Sequence, residues 1–296
     1  MNRRPAAARR PKRKTASARA PRPRPSRFGP SARPRRRWGR AHWRASGHWR
    51  ILVGALVILA VALAVNGVYQ VVRKPSELFF PVSGALYKTP TETWRQYAPL
   101  FNTYATKVIT PDFLAAIAQV EGSGNPVVRT YWRWSWTSHP FEIYRPASSA
   151  VGMYQITDGT FAEARHYCVR HHAFGEVGPW NDVQSCWFNS LYARVIPADA
   201  IELTSAYLDR MVALTLKQHR MTSATLQHKQ DLAAVIHLCG AGAGNSYARR
   251  GFRLIEGQRC GDHDARLYLA RVKAMKAEFD RLAVLTSDSE RRGRQS

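Results

Sequence analysis

Residues 110–122 read TPDFLAAIAQVEG, and they indicate the type of fold more clearly than any other stretch. The segment opens with a capping hydroxyl, a proline suited to the first helical position, and an acid in the first turn. An apolar run follows and ends at Glu121, after which Gly122 and Gly124 favour the end of the helix. The sequence therefore predicts an apolar helix whose last side chain before the glycines is a carboxyl.

The segments that follow carry the same helical periodicity. Further helices are predicted for residues 157–168, 182–195, 197–219, 226–239 and 262–282. No stretch of the sequence shows the alternation of apolar and polar residues that is typical of a strand bounded by turns. The expected fold class is therefore all-α.

The N-terminal region is basic and then strongly apolar. Residues 1–50 hold 18 of the 45 Lys and Arg residues and no Asp or Glu, which predicts a disordered basic tail. Residues 51–72 carry no charge and, as a helix, span roughly 33 Å, enough to cross the hydrocarbon core of a membrane. The basic excess before this helix predicts a cytoplasmic N-terminus, with the body of the protein on the outer side.

Two alternatives remain open for this region. Residues 62–64, ALA, fit the cleavage site of a signal peptide, although the long basic leader favours an uncleaved anchor. The tail is expected to contact anionic lipid, and the competing hypothesis is an arm that binds nucleic acid.

All the cysteines follow the apolar segment. They are Cys168, Cys186, Cys239 and Cys260. An even number of cysteines in an exported region predicts two disulfides, and pairing of nearest neighbours is favoured among the three possible arrangements. A zinc site that combines Cys168 and Cys186 with His171 and His172 is the weaker alternative, because the sequence has no CxxC pair.

Three stretches carry the chemistry. Glu121 lies on an apolar helix face, where burial is expected to raise its pKa and keep it protonated as a general acid. Residues 148–157, SSAVGMYQIT, form a small-residue loop in which the Gln155 amide suits a sugar hydroxyl or acetamido group. Residues 233–242, AAVIHLCGAG, predict a helix that ends in a glycine-rich turn.

The order and spacing of these stretches resemble the lytic transglycosylases of the SLT-domain type, whose fold is similar to that of goose-type lysozyme. The family's Glu-Ser motif aligns with Glu121 and Gly122, and Ser123 is the expected substitute for the serine. The family's Gly-Leu-Met-Gln motif is similar to residues 152–155, GMYQ. Its Ala-Tyr-Asn-Ala-Gly motif is similar to residues 236–240, IHLCG, which keep the glycine but lack the tyrosine and the asparagine.

The resemblance covers residues 110–271 and includes a tyrosine-containing last helix. It implies that Glu121 is the catalytic residue. It also implies a set of substrate-binding residues, namely Ser123, Gly152, Met153, Tyr154, Gln155, His237, Gly240 and Tyr268.

The family's activity is cleavage of the MurNAc–GlcNAc β-1,4 bond of peptidoglycan with formation of 1,6-anhydromuramoyl ends, without metal or cofactor. The expected partner is therefore a peptidoglycan glycan strand, and the expected location is the periplasmic face of a bacterial inner membrane. A hydrolysing lysozyme is an alternative that needs a second carboxylate, for which Glu142 and Asp158 are the nearest candidates. A catalytically impaired peptidoglycan-binding module is the other alternative, because the third motif is altered.

Trp132, Trp134 and Trp136 lie between the first two motifs, and they suit either stacking on sugars or packing of a loop. The expected domain organisation is a basic tail, a membrane anchor, a linker and lead-in, a lysozyme-like domain and a flexible C-terminal tail. These regions are residues 1–50, 51–72, 73–100, 101–284 and 285–296.

Overall fold

The computed structural model describes residues 47–136, 139–182 and 185–293. The predicted basic tail lies almost entirely outside these ranges. Within them the chain is mostly helical, with three small hairpins as its only sheets, so the helical fold class is confirmed and the expectation of no strands is wrong.

The bounds of the elements are as follows for the described ranges. The α-helices are α1 (Gly47–Arg73), α2 (Phe80–Ser83), α3 (Pro90–Tyr104), α4 (Pro111–Gly122), α5 (Asp158–Ala164), α6 (Pro197–Gln218), α7 (Leu226–Cys239), α8 (Ala241–Arg249) and α9 (Ala265–Gly293). Short 3-10 helices lie at Pro75–Phe79, Gly84–Leu86, Pro140–Glu142 and Trp187–Leu191. The strands form the antiparallel pairs β1 (Trp132–Trp134) with β2 (Tyr144–Pro146), β3 (Tyr167–Arg170) with β4 (Ala173–Glu176), and β5 (Arg259–Cys260) with β6 (His263–Asp264).

Helix α4 is the central element of the core. Its residues 114–118 are fully buried, because α3 and α9 pack against it. The hydroxyl of Thr110 does not cap this helix as expected, and instead accepts a hydrogen bond of 2.9 Å from the Gln230 side chain of α7. Ser123 ends the helix in a left-handed conformation with φ of 47°. Because other helices enclose the apolar helix α4, the Glu121 side chain near its C-terminal end lies at the edge of the core.

Helix α3 belongs to the same core, which differs from the predicted linker over residues 73–100. A capping box starts the helix, since Thr89 Oγ1 accepts from the Glu92 N–H and Glu92 Oε2 accepts from the Thr89 N–H. Trp94 and Phe101 of α3 are buried against the other core helices. The folded unit therefore begins before residue 101, and the predicted C-terminal tail is helical as far as residue 293.

Two of the predicted helices are wrong in part. The helix expected over residues 157–168 ends at Ala164, and β3 follows it. The helix expected over residues 182–195 is replaced by irregular chain and one 3-10 helix. The physical cause is long-range, since Cys186 is bonded to Cys168 and the Asn189 amide donates to the Tyr167 carbonyl oxygen at 2.7 Å.

Among the described residues, α1 is the one helix that is long and apolar enough to cross a membrane. It includes the 26 residues His48–Arg73, whose most apolar stretch of 18 residues has a mean hydropathy of 2.7 and is only 6% buried. The apolar side chains of its first five turns are exposed. The length and composition expected of a membrane anchor are present.

The nearest-neighbour pairing of the cysteines is confirmed. Cys168 bonds to Cys186 and Cys239 bonds to Cys260, with Cα–Cα separations of 5.4 and 5.2 Å. The sulfur atoms of Cys168 and Cys186, which the alternative zinc site required as ligands, are bonded to each other.

We expect alkylation of the unfolded, unreduced protein to find no reactive thiol, and reduction before alkylation to expose four. The paired Cys239→Ser and Cys260→Ser substitutions should lower the free energy of unfolding by about 3 kcal/mol, because the loop of 21 residues is then unconstrained in the unfolded chain. Urea unfolding in mild detergent measures this difference. Two or more thiols that react without reduction would contradict the pairing.

Candidate active site

Glu121 lies where the C-terminal end of α4 meets α7 and α9. Its side chain is 17% exposed, and its Oε1 accepts a hydrogen bond of 2.6 Å from the Tyr268 hydroxyl. The Nε2 of His237 lies 3.5 Å from the same oxygen. The structure thus places three of the predicted site residues in one cluster, although they are up to 147 residues apart in sequence.

The expected direction of the Glu121 pKa shift is wrong. Burial alone raises the pKa of Glu121, and it is the largest single cause. The hydrogen bond and charge of His237, the hydrogen bond of Tyr268 and the charge of His263 together outweigh burial, so the pKa lies below its usual value. Burial and the Glu121 charge raise the pKa of Tyr268 well above its usual range, so the tyrosine stays a donor.

We expect His237→Phe to raise the pKa of Glu121. The substitution removes the hydrogen bond and the electrostatic contribution of His237 that lower this pKa while the carboxyl stays buried, and the remaining groups that lower it are Tyr268 and His263. If the reaction needs a protonated Glu121, activity falls as pH rises through this pKa, so the fall should move to higher pH in the variant. Infrared titration of the Glu121 carboxyl, taken as a difference against Glu121→Gln, tests the shift directly. A pKa that is unchanged or lower in His237→Phe would contradict the stated role of the histidine.

The second disulfide joins two of the segments that carry this cluster. Cys239 is the last residue of α7, and Cys260 lies in β5 of the hairpin that leads into α9. The bond ties the helix end that carries His237 to the segment that carries His263 and Tyr268. His263 was not among the predicted site residues, and it follows Cys260 of this bond by three residues.

The loop with the GMYQ sequence folds as a tight turn beside α4. Val151 and Ile156 exchange backbone hydrogen bonds of 3.1 and 3.0 Å. Gly152 and Gln155 both adopt positive φ values, of 79° and 47°. The Arg194 guanidinium donates to the Ser149 and Ile156 carbonyl oxygens at 3.0 and 2.8 Å, so a residue that the sequence did not single out holds the loop in place.

Three side chains of this loop make their contacts within the protein. Met153 and Tyr154 are fully buried, and the Tyr154 hydroxyl donates to the Leu114 carbonyl oxygen at 3.2 Å. The Gln155 amide nitrogen donates to the Gly152 and Val128 carbonyl oxygens rather than outward. In this structure the loop uses these side chains to pack on α4 and to close its own turn, and their role in binding substrate stays a prediction.

Close packing explains the glycine that departs from the family's Glu-Ser motif. A Cβ on Gly122 would lie 2.8 Å from Met153 Cα and 2.9 Å from the Met153 carbonyl oxygen. Contacts that short do not occur in folded proteins, so a serine at this position would push the loop away from α4. Ser123, the expected substitute, is half-buried and ends the helix, and its carbonyl oxygen accepts from the Lys88 N–H at 2.9 Å.

Gly240 links α7 to α8 with φ of 82°, and an added Cβ would meet no atom within 4 Å. It follows His237 by three residues, so the glycine-rich turn lies at the end of the helix that contributes to the cluster. The open space beside it is consistent with a backbone that a ligand approaches.

The two candidate second carboxylates are engaged with arginines. Glu142 contacts Arg73 at 2.7 Å and Arg145 at 3.2 Å. Asp158 contacts Arg194 at 2.7 Å and is 71% exposed. Neither has a hydrogen bond or ion pair with the Glu121 cluster in the contacts of the described chain.

Comparisons of the chain with protein-family models, with curated proteins and with solved structures find no match. In the part of the chain that the structure describes, no group of three or more His, Cys, Asp or Glu side chains is arranged to hold a metal ion.

Proposed function

We propose that the chain is a membrane-anchored lytic transglycosylase that cleaves the MurNAc–GlcNAc β-1,4 bond of peptidoglycan, with Glu121 as its acid and base. The observation that carries the proposal is the environment of this one carboxyl. Glu121 is largely buried at the end of an apolar helix, and it is oriented by the Tyr268 hydroxyl at 2.6 Å and by His237. The sequence motifs that resemble the SLT-domain family meet at this point.

The proposed reaction needs one carboxyl in two successive roles. Protonated Glu121 donates its proton to the glycosidic oxygen as the bond to C1 of the muramic residue breaks. The resulting carboxylate then takes the proton of the C6 hydroxyl, whose oxygen bonds to C1 and closes the anhydro ring. Because no water is activated, the reaction does not require the second carboxylate of an inverting hydrolase.

The polar contacts of Glu121 favour its charged form before substrate binds. A glycan that covers the remaining 17% of exposed side chain would add to the burial that raises its pKa. Tyr268 keeps its hydrogen bond to the carboxyl in either charge state and so fixes its orientation. Substrate binding thereby favours the protonated acid at the step that needs it.

We propose that α1 crosses the inner membrane with the basic N-terminal segment in the cytoplasm and the rest of the chain in the periplasm. The charge asymmetry around α1 supports this orientation. The two disulfides support it independently, because such bonds persist in oxidising compartments.

The experiment that tests the activity is mass analysis of the products released from purified sacculi by the full-length protein in mild detergent. The proposed reaction yields muropeptides that end in 1,6-anhydromuramic acid, which are lighter by one water than hydrolysed products. The Glu121→Gln protein is the matched control and should release neither.

Two other results would contradict the proposal, and each has a defined meaning. Products with hydrolysed ends would indicate a goose-type lysozyme that activates water. Retention on sacculi without product release would indicate a peptidoglycan-binding module, the interpretation that the altered third motif favours.

A further inference from the structure

The hairpin β1–β2 packs against the last turns of α1. Asn66 and Gln70 lie one turn apart on one face of this apolar helix, and each is 5% exposed. The Asn66 amide donates to the Tyr144 carbonyl oxygen at 2.6 Å, and the Gln70 amide donates to the Phe141 carbonyl oxygen at 2.7 Å. The hairpin thus supplies acceptors for two amide nitrogens that would be costly to bury in lipid without a partner.

We call residues 131–136 and 139–146 the aromatic hairpin, because its outer surface is dominated by large apolar side chains. Trp136 is fully exposed, Trp134 is 64% exposed, and Phe141 is 43% exposed. The Phe141 ring lies 5.3 Å from the ring of Tyr69 in α1, so the exposed surface of the aromatic hairpin continues the exposed apolar surface of the helix.

The position along α1 fixes the depth of the aromatic hairpin. A helix that enters the hydrocarbon at Ile51 needs about 20 residues to cross it, which places the outer edge near Gln70. Asn66 then lies about 6 Å inside that edge, at a rise of 1.5 Å per residue. The aromatic hairpin, which binds both residues, is thereby held at the outer boundary between hydrocarbon and headgroups.

The chemistry of the aromatic hairpin suits that boundary. Tryptophan and tyrosine are enriched there because one end of each ring system is apolar and the other is polar. A charged contact sits at the same end of α1, where Arg73 and Arg145 both contact Glu142. Arg133 on β1 is exposed and offers a positive charge to anionic headgroups.

A buried ion pair connects this boundary to the candidate active site. Lys74, directly after α1, contacts Glu77 at 3.3 Å, and Glu77 accepts from the Trp132 indole N–H at 2.9 Å. Lys74 also donates to the Ser148 carbonyl oxygen at 3.2 Å, and Ser148 opens the segment that leads to Gly152. The anchor is therefore joined to the site loop by ordered contacts rather than by a flexible tether.

We propose that the aromatic hairpin is a second membrane-binding surface, which inserts Trp134 and Trp136 into the outer interfacial layer of the bilayer beside α1. Its occupant is lipid and not the glycan. The inference rests on membrane insertion of α1, and it holds the domain that carries Glu121 at a fixed height and orientation above the membrane.

The test uses full-length protein reconstituted into vesicles of phosphatidylethanolamine and phosphatidylglycerol, in which some acyl chains carry bromine near the headgroup. Bromine quenches tryptophan emission only at close range. The variant Trp134→Phe/Trp136→Phe should lose roughly two-thirds of the emission that bromolipid quenches, since Trp49 near the start of α1 is the third tryptophan expected at an interface. The matched control is Trp180→Phe, which removes a tryptophan that is 78% exposed in a different loop and should leave the quenchable emission unchanged.

Three results would overturn the proposal. The first is equal quenchable emission in the double variant and in the Trp180→Phe control. The second is a glycan effect, in which soluble peptidoglycan fragments change the tryptophan emission of the wild-type protein but not that of the double variant. In that case bromolipid would quench the wild-type protein and the double variant equally. The third is failure of the protein to remain with vesicles at high pH, which would show that α1 does not insert.

None of these measurements depends on turnover. The Glu121→Gln protein should show the same quenching as wild type, so the proposed activity and the membrane surface fail independently. Circular dichroism of each variant confirms that the helices remain folded.

Discussion

Glu121→Gln is expected to lower turnover of sacculi by at least about a thousandfold. General acid–base action contributes typically about 10²–10⁴-fold, and here one group serves both proton transfers. The glutamine keeps the size of the side chain and an oxygen that accepts from the Tyr268 hydroxyl, so the cluster should stay assembled. Release of soluble muropeptides by the purified full-length protein measures the loss.

Two matched substitutions at other carboxyls test whether turnover falls because the Glu121 proton is lost or because any negative charge is removed. Glu142→Gln removes the contacts with Arg73 and Arg145, and Asp158→Asn weakens the contact with Arg194. Both variants should retain most of the wild-type turnover, because neither carboxyl contacts the Glu121 cluster. If the Glu121→Gln protein keeps a tenth of the wild-type activity, the catalytic acid lies elsewhere. If Glu142 or Asp158 proves as essential as Glu121, a hydrolase that uses two carboxylates explains the site better.

The sequence predicts those parts of the fold that local patterns control. Helix α4 and its terminal glutamate follow from apolar periodicity, a proline at the start and glycines at the end. Helices α6 and α7 follow from the same signals and end within one residue of their predicted bounds. The start of α3 also carries a local signal, the Thr89-to-Glu92 capping box.

Features that depend on packing between distant segments could not be predicted. Burial of Met153 and Tyr154 depends on the close approach of their loop to Gly122, which no local pattern indicates. The apolar face of α4 alone predicts a raised pKa for Glu121, whereas His237 and Tyr268 arrive from other helices and lower it. The direction of a pKa shift follows from all the elements that surround a group.

One tertiary feature did leave a signal in the sequence. Asn66 and Gln70 are polar residues spaced by four in an otherwise apolar segment, and such a pair predicts a partner on that helix face. The structure supplies the partner as carbonyl oxygens of residues 141 and 144. The apolar helix therefore has one buried polar face near its C-terminal end.

Gly152→Ala is expected to lower the free energy of unfolding by about 3 kcal/mol or more, from left-handed strain and overpacking together. Gly152 has φ of 79°, and an added Cβ would lie within contact distance of two carbonyl oxygens, 3.3 Å from that of Pro126 and closer to that of Arg194. Backbone atoms on both sides leave no flexible side chain to give way. The loop would have to move, and Met153 would then lose its contact with Gly122 beside Glu121.

Urea unfolding of the full-length protein in mild detergent measures the change, and Gly159→Ala is the matched control. Gly159 lies in α5 with no atom within 4 Å of an added Cβ, so alanine there should leave stability unchanged or raise it by up to about 1 kcal/mol. Turnover of sacculi below the unfolding transition should fall in Gly152→Ala and stay at the wild-type level in Gly159→Ala. Equal unfolding midpoints for the two variants would show that the loop is not packed between α4 and the Arg194 segment, and the geometry described for the Glu121 site would be wrong.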